Sequence, residues 1–374
     1  MRKSSKSLVA WLLRTSESTP ARIRSFGCNR VSGAARHRTE QESAVFTAPE
    51  LTTGTNAYRA TTEASLQLLD AKREGYVERT VITSDGVRLA VRDHNPTGRD
   101  HTVVLLHGLC LTQASWELQV RHLKRQWGNR IRIITYDHRG HGASTGADMH
   151  TYRIDRLAAD LADVLTILRV NGPLTLAGHS MGGMTALAYL GRPAAERPVE
   201  PQGLVLVATA AGRLAERGLG RLLGSRATEL VFDLVHHLPR RATDKAIKGV
   251  VRPVFDGVLK LSGADRGGAA ALTASAIRSV SLTTAAGFLP SLKRYDQYAA
   301  LASIVANTIV ISGGADKTTP AEHARDIAAG IPDATHLHRP GAGHMLLGEH
   351  PRCVGAAIDR VMGMPALSEP SLAS

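Results

Sequence analysis

The stretch "TLAGHSMGGM", residues 175–184, sets one hydroxyl, that of Ser180, between Gly178 and Gly182, with Gly183 following. A short apolar run, 174–177, precedes it, and Met184, Ala186, Leu187, Ala188 and Leu190 come after it. The first half reads as a strand buried on both faces and the second as a buried helix, so a tight strand-to-helix turn falls on the serine. Residues 173–191 contain no Asp, Glu, Lys or Arg and are about long enough to span a membrane. Their glycines, the His179–Ser180 pair and the change of pattern midway make a buried strand followed by a buried helix the better reading.

The same strand-then-loop grammar recurs along the chain. Residues 102–106 ("TVVLL"), 131–135 ("IRIIT"), 204–208 ("LVLVA"), 308–312 ("TIVIS") and 334–339 are short runs that each lead into a loop. Residues 76–83 and 87–92 alternate around Ser84-Asp85-Gly86, the pattern of an antiparallel hairpin. Between strands, Ile154, Leu157, Ala158, Leu161, Val164, Leu165 and Leu168 fall on one face of a helix. Strands alternating with helices predict an α/β fold, a doubly wound, mostly parallel sheet with its ligand site beyond the carboxyl ends of the strands. The alternation fails over 213–295, where a helical stripe from Leu219 to Leu238 stops at Pro239. That segment is expected to be a helical cap inserted between two strands. The expected organisation is a leader over 1–72, a core over 73–212 and 296–364, the cap over 213–295 and a loose tail over 365–374.

Composition narrows the rest. A chain of 374 residues with 43% hydrophobic and 21% charged residues is ordinary for a soluble globular protein and long enough for a large core. Of the net charge of +13, +8 lies between Met1 and Arg38, where nine Lys or Arg face only Glu17. The positive balance therefore belongs to a leader without periodicity, expected to be disordered, and at most a non-specific contact with nucleic acid. Aromatics at 4% speak against base-stacking surfaces. The apolar run 8–13 is cut off by Arg14 and is too short for a secretory signal. Cys28, Cys110 and Cys353 lack metal-binding or disulfide spacing, which suits a reducing cytosol. No metal, no cofactor and no transmembrane segment are expected, and the sequence leaves the oligomeric state open.

The pattern G-x-S-x-G between strand and helix is that of a nucleophile elbow. The turn strains the serine backbone, lifts its hydroxyl to the top of the sheet and leaves room only for glycine at Gly178 and Gly182. The helix N-terminus there favours developing negative charge. A serine needs a base, and the base an orienting acid. Among sixteen histidines, His344 in "RPGAGHMLL" lies in a glycine-rich loop after the last strand. For the acid, "GGADKTTP" offers Asp316; Glu216 lies within the expected cap, and Asp137 is expected to brace its own loop. The chain order Ser180, Asp316, His344 is that of a nucleophile, acid and base on this kind of sheet. The Met181 and Leu109 amides are the expected oxyanion donors, with Gly108 allowing close approach and His107 fixing the loop. Cys110 is expected to be a buried filler, and His179, though next to the serine, to point elsewhere than its neighbour in an elbow.

With "HGLC" at 107–110, "YDHRGHGAS" at 136–144, "GHSMGG" at 178–183 and the later "GGADKTTP" and "GAGH", residues 76–362 resemble the α/β-hydrolase fold family. The closest likeness is to its lysophospholipase, monoacylglycerol lipase and carboxylesterase branch. The resemblance implies a serine hydrolase in which Ser180 is the nucleophile, Asp316 the acid, His344 the base, and Leu109 and Met181 the oxyanion hole. It implies a lipophilic carboxylic ester as substrate, with thioester, C–C bond or cofactor-free perhydrolase chemistry as alternatives on the same triad, and a ligand-sensing protein as the rival from another class. Relatives that use a carboxylate at the elbow are excluded, because the elbow residue here is serine.

Overall fold

The structure is a computed structural model and describes residues 71–73, 75–98, 100–218 and 282–363. All of these lie in one unit of the chain, Ala57–Ser374. The aliphatic stripe expected from Leu219 to Leu238, the leader before residue 71 and the tail from 364 fall outside the described residues.

Among the described residues, nine strands form one sheet: β1 (Ala71–Arg73), β2 (Tyr76–Ile82), β3 (Arg88–His94), β4 (His101–Leu106), β5 (Ile131–Tyr136), β6 (Leu174–His179), β7 (Gly203–Val207), β8 (Asn307–Gly313) and β9 (Thr335–Arg339). Their order across the sheet is β1-β2-β3-β5-β4-β6-β7-β8-β9. The first three strands and β5 pair antiparallel, and every pair from β5 to β9 is parallel. The expected hairpin is β2–β3. Strand β1 is an addition: three residues are too few to show an alternation, and it straddles the expected boundary between leader (1–72) and core (from 73).

The helices are α1 (Glu117–Trp127), α2 (Ile154–Ile167), α3 (Met181–Leu190), α4 (Leu282–Arg294), α5 (Tyr298–Leu301), α6 (Ala321–Gly330), α7 (Leu346–Glu349) and α8 (Pro351–Met362). They cover both faces. One core joins α2, α3 and α6 to one side of the sheet through Leu157, Leu161, Leu187 and Ile327. The other joins α1 and α8 through Trp116, Leu123, Ile358 and Val361. Central strands buried along their whole length explain the unbroken apolar runs. All ten residues of α3 are buried too, so the uncharged segment 173–191 is strand β6 followed by helix α3. Among the described residues no helix is long and apolar enough to cross a membrane.

Chain order reverses at β4, which lies between β5 and β6. A crevice therefore opens between the carboxyl ends of β4 and β6, where loops leave in opposite directions. Pairing of Leu106 with Gly178 brings the loop 107–110 level with Ser180.

Candidate active site

Ser180 separates β6 from α3 with φ 52° and ψ −118°, a strained conformation for a residue with a side chain. Its surroundings over-determine it. Its N–H donates to the Val207 carbonyl at 2.9 Å, and its own carbonyl accepts the Thr209 hydroxyl at 2.7 Å and the Gly183 amide at 2.9 Å. The flanking glycines are required, for a reason other than contact with the serine. A Cβ on Gly178 would stand 2.5 Å from the Gly182 backbone, so the two arms of the turn would collide with each other. A Cβ on Gly182 would overlap the Leu106 carbonyl of the neighbouring strand.

The loops after β8 and β9 meet the serine. Ser180 Oγ lies 3.1 Å from His344 Nε2, and His344 Nδ1 lies 2.8 Å from Asp316 Oδ2. With a carboxylate facing Nδ1, that nitrogen carries the hydrogen and Nε2 presents its lone pair to the hydroxyl. Asp316 is further held by the Thr318 amide at 2.8 Å, the Thr319 amide at 3.0 Å and the Thr319 hydroxyl at 2.9 Å. Burial alone would raise its pKa, but His344 and the Thr319 donors outweigh burial and hold it below its usual value. The arrangement can draw a proton from the hydroxyl while a fixed negative charge stabilises the resulting imidazolium.

Opposite the imidazole, the loop after β4 comes close to the serine. A Cβ on Gly108 would stand 3.2 Å from Ser180 Cβ and 3.0 Å from His179 Nδ1. Among the described residues, neither the Leu109 nor the Met181 amide has an acceptor. His107 bonds within the loop and across to the next: its Nδ1–H donates to the Gly108 carbonyl at 2.8 Å and its Nε2 accepts the His138 amide at 2.9 Å. Cys110 is buried, and desolvation pushes its thiol up to about 12. A cavity of about 720 Å³ bordered by Asp85, Thr145, Asp148 and His150 includes none of these residues.

A family model described as the alpha/beta hydrolase fold matches residues 101–351, more than half of the chain. The chain belongs to the alpha/beta hydrolase fold family. The chain is similar to the non-heme chloroperoxidase CPO-A1 of Kitasatospora aureofaciens, 39% identical over 110 residues, which are 29% of this chain and 37% of the relative. It is also similar to the bifunctional esterase/perhydrolase DCH of Acinetobacter calcoaceticus, 35% identical over 117 residues, 30% of this chain and 38% of the relative. The chain thus spans less than two fifths of the length of these curated relatives. Among solved structures, an esterase from Exiguobacterium antarcticum aligns with a TM-score of 0.60 at 19% identity, over 76% of this chain and 99% of that one. A hydrolase from Pseudomonas aeruginosa PA01 aligns at 0.59 and 24% identity, over 77% and 98%. At such identities the structural likeness shows the fold.

The partners of several residues around the site are not named by the sequence pattern. His179 points elsewhere than the Ser180 hydroxyl: its Nε2–H donates to the His344 carbonyl at 2.9 Å, and the two rings lie 5.1 Å apart. Burial drives its pKa down to about 3. His138 and His141, in the loop after β5, join His107 in a fully buried cluster with ring centroids 4.4–6.4 Å apart. Burial lowers the pKa of His107 to about 4 and of His141 to about 3. Arg139 between them is fully buried on Asp160 at 2.6 and 2.7 Å and Asp85 at 3.0 and 3.1 Å. Burial works against its charge, but the two carboxylates outweigh burial and raise its pKa. Asp137 braces its own loop as expected, accepting the Gln113 and Ala143 amides at 2.8 and 2.9 Å. The repeated histidines of "YDHRGHGAS" are the available signal; their partners, the Cys110 amide for His141 and the His107 carbonyl for His138, lie in the "HGLC" loop, and no local pattern pairs the two loops.

Proposed function

We infer that the chain is a serine hydrolase that cleaves a lipophilic carboxylic ester through an acyl-enzyme. The observation that carries this reading is the pair of contacts joining Ser180 Oγ to His344 at 3.1 Å and His344 to Asp316 at 2.8 Å. Ser180 Oγ attacks the ester carbonyl while His344 Nε2 takes its proton. The carbonyl electron pair moves onto oxygen, which receives the Leu109 and Met181 amides. Collapse of that intermediate expels the alcohol, which leaves with the proton from His344. Water, deprotonated by the same imidazole, then attacks the acyl-enzyme and releases the carboxylic acid. Leu109 beside the buried Cys110 and Ala285 gives the donor loop an apolar border, which supports an apolar acyl group. The unpaired Cys110 and Cys353 suit a reducing, cytosolic setting.

The test is turnover of medium-chain nitrophenyl esters together with fluorophosphonate labelling. Multiple turnovers are expected, with Ser180 labelled and Ser180→Ala reducing kcat by ~10⁴-fold or more. Binding without turnover would favour the ligand-sensing alternative. Full activity in Ser180→Ala would sink the reading. The likeness to an esterase/perhydrolase favours one second reading, in which hydrogen peroxide replaces water at the acyl-enzyme and the product is a peracid. Peracid formation from ester plus peroxide, measured beside hydrolysis, separates the two.

A further inference from the structure

One peptide unit sets the direction of the Leu109 donor. In a trans peptide the C=O and N–H point opposite ways, so the Leu109 N–H is aimed by whatever holds the Gly108 carbonyl. That carbonyl accepts the His107 Nδ1–H at 2.8 Å and the Leu111 amide at 3.1 Å. The next peptide unit is held separately: the Cys110 N–H donates to His141 Nε2 at 3.2 Å. Both planes flanking the Leu109 Cα are therefore pinned, one by each histidine. The pinning is needed, because Cys110 has φ 60°, a left-handed conformation that a residue with a side chain does not hold on its own preference.

His141 is well fixed as an acceptor. Its Nδ1–H donates to the Arg139 carbonyl at 3.0 Å, which leaves the lone pair on Nε2 for Cys110. It is fully buried, with the Phe288 ring of α4 at 5.9 Å on one side and the His107 ring at 5.2 Å on another. Arg139, from which its anchoring carbonyl comes, is itself locked by Asp160 and Asp85.

We propose that His141 is a positioning residue for the hydrolysis: by accepting the Cys110 amide it keeps the Leu109 N–H aimed at the oxyanion. This rests on the serine-hydrolase reading above. Because the oxyanion exists only in the intermediate and the flanking transition states, loss of this aim lowers kcat and leaves ground-state binding intact.

The experiment compares His141→Leu, which has no acceptor, with His141→Gln, whose side-chain oxygen can replace Nε2, in the full chain. On a nitrophenyl ester, His141→Leu is expected to lose about 10- to 100-fold in kcat with KM within about twofold, less than the full loss of a donor. Affinity for an alkylboronic acid, which binds serine as a tetrahedral adduct, should fall with kcat, and His141→Gln should recover most of both. Hydrogen exchange at residues 109–111 should quicken in the leucine variant alone. His141→Asn, whose shorter side chain falls short of Cys110, replaces leucine should that variant not fold. The proposal is overturned if kcat of the leucine variant stays within twofold of wild type, or if leucine and glutamine lose activity equally, in step with melting temperature. Ser180→Ala, assayed in parallel, separates the two ideas: activity there overturns the serine reading, whereas an inactive Ser180→Ala beside a fully active His141→Leu overturns the positioning role alone.

Discussion

The two sides of the site use the same residue type in opposite ways. On the side of β8 and β9, His344 sits against a carboxylate and faces the serine. On the side of β4 and β5, His107, His138 and His141 are fully buried and, among the described residues, have no carboxylate bonded to their rings. Burial pushes these three pKa values far down, so they stay neutral. The difference follows from the work proposed for each. A base must gain and lose a proton in every cycle, so it needs a charge partner that makes its cation tolerable. A ring that only aims a backbone amide must keep one tautomer throughout, and the desolvation that would disable a base is what keeps it constant.

The largest effect should come from removing the charge on the first side. Asp316→Asn keeps the shape but places a neutral amide against His344 Nδ1, so the imidazolium loses its counter-charge and the ring can take the wrong tautomer. The expected loss is ~10³- to 10⁴-fold in kcat near neutral pH, measured by steady-state ester hydrolysis. A loss below tenfold would mean that the contrast between a charged and a neutral side has no bearing on the chemistry.

Stability against pH separates the two sides next. His94, His101 and His107 have pKa values of about 4, and His141 and His179 of about 3, all lowered chiefly by burial. From about pH 6.5 down to about 4 the unfolded chain therefore binds protons that the folded chain refuses. Stability must fall as pH drops through that window, with each histidine adding up to ~1.4 kcal/mol per pH unit. Asp316 acts lower down. Its folded pKa is depressed, so its contribution is complete above the ordinary carboxylate range and is lost only as pH falls through the folded value. Urea unfolding at pH 7, 6 and 5 should thus show steep loss well before the carboxylate titrates; a flat profile from 7 to 5 would show that the neutral side is not neutral by burial.

The sequence exposed the two sides unequally. The charged side was readable because its members stand in short loops after strands whose order is known: "GHSMGG", "GGADKTTP" and "GAGH" each put one group at a strand end, and the structure brings those three together. The parallel core was readable for the same reason, since runs such as "TVVLL" bury both faces. The neutral side was only half readable. "HGLC" named the donor loop and His107, but His141 acts on an amide 31 positions away, across two neighbouring strands. His179 was readable as turned away from its serine neighbour, but its partner, the His344 carbonyl 165 positions along the chain, was not. Strand β1 was missed because three residues carry no period.

The smallest test probes how far the charge of Asp316 reaches. The Thr319 hydroxyl donates to Asp316 Oδ2 at 2.9 Å, and its oxygen lies 3.3 Å from His344 Nδ1. Thr319→Val removes that donor, while the Thr318 and Thr319 amides still hold the other carboxylate oxygen. A hydrogen bond to a charged, buried acceptor is worth about 1.5–3 kcal/mol, so the variant should lose about that much stability, and less than tenfold in kcat because His344 keeps its own contact with Oδ2. If the charge is what makes the hydroxyl valuable, the same substitution in an Asp316→Asn background should cost only about 0.5–1.5 kcal/mol, the range for a neutral pair. The difference between the two costs, read from urea unfolding of the four proteins, is the coupling energy of hydroxyl and carboxylate. Equal costs in both backgrounds would assign Thr319 to packing, and would place it with the neutral side of the site.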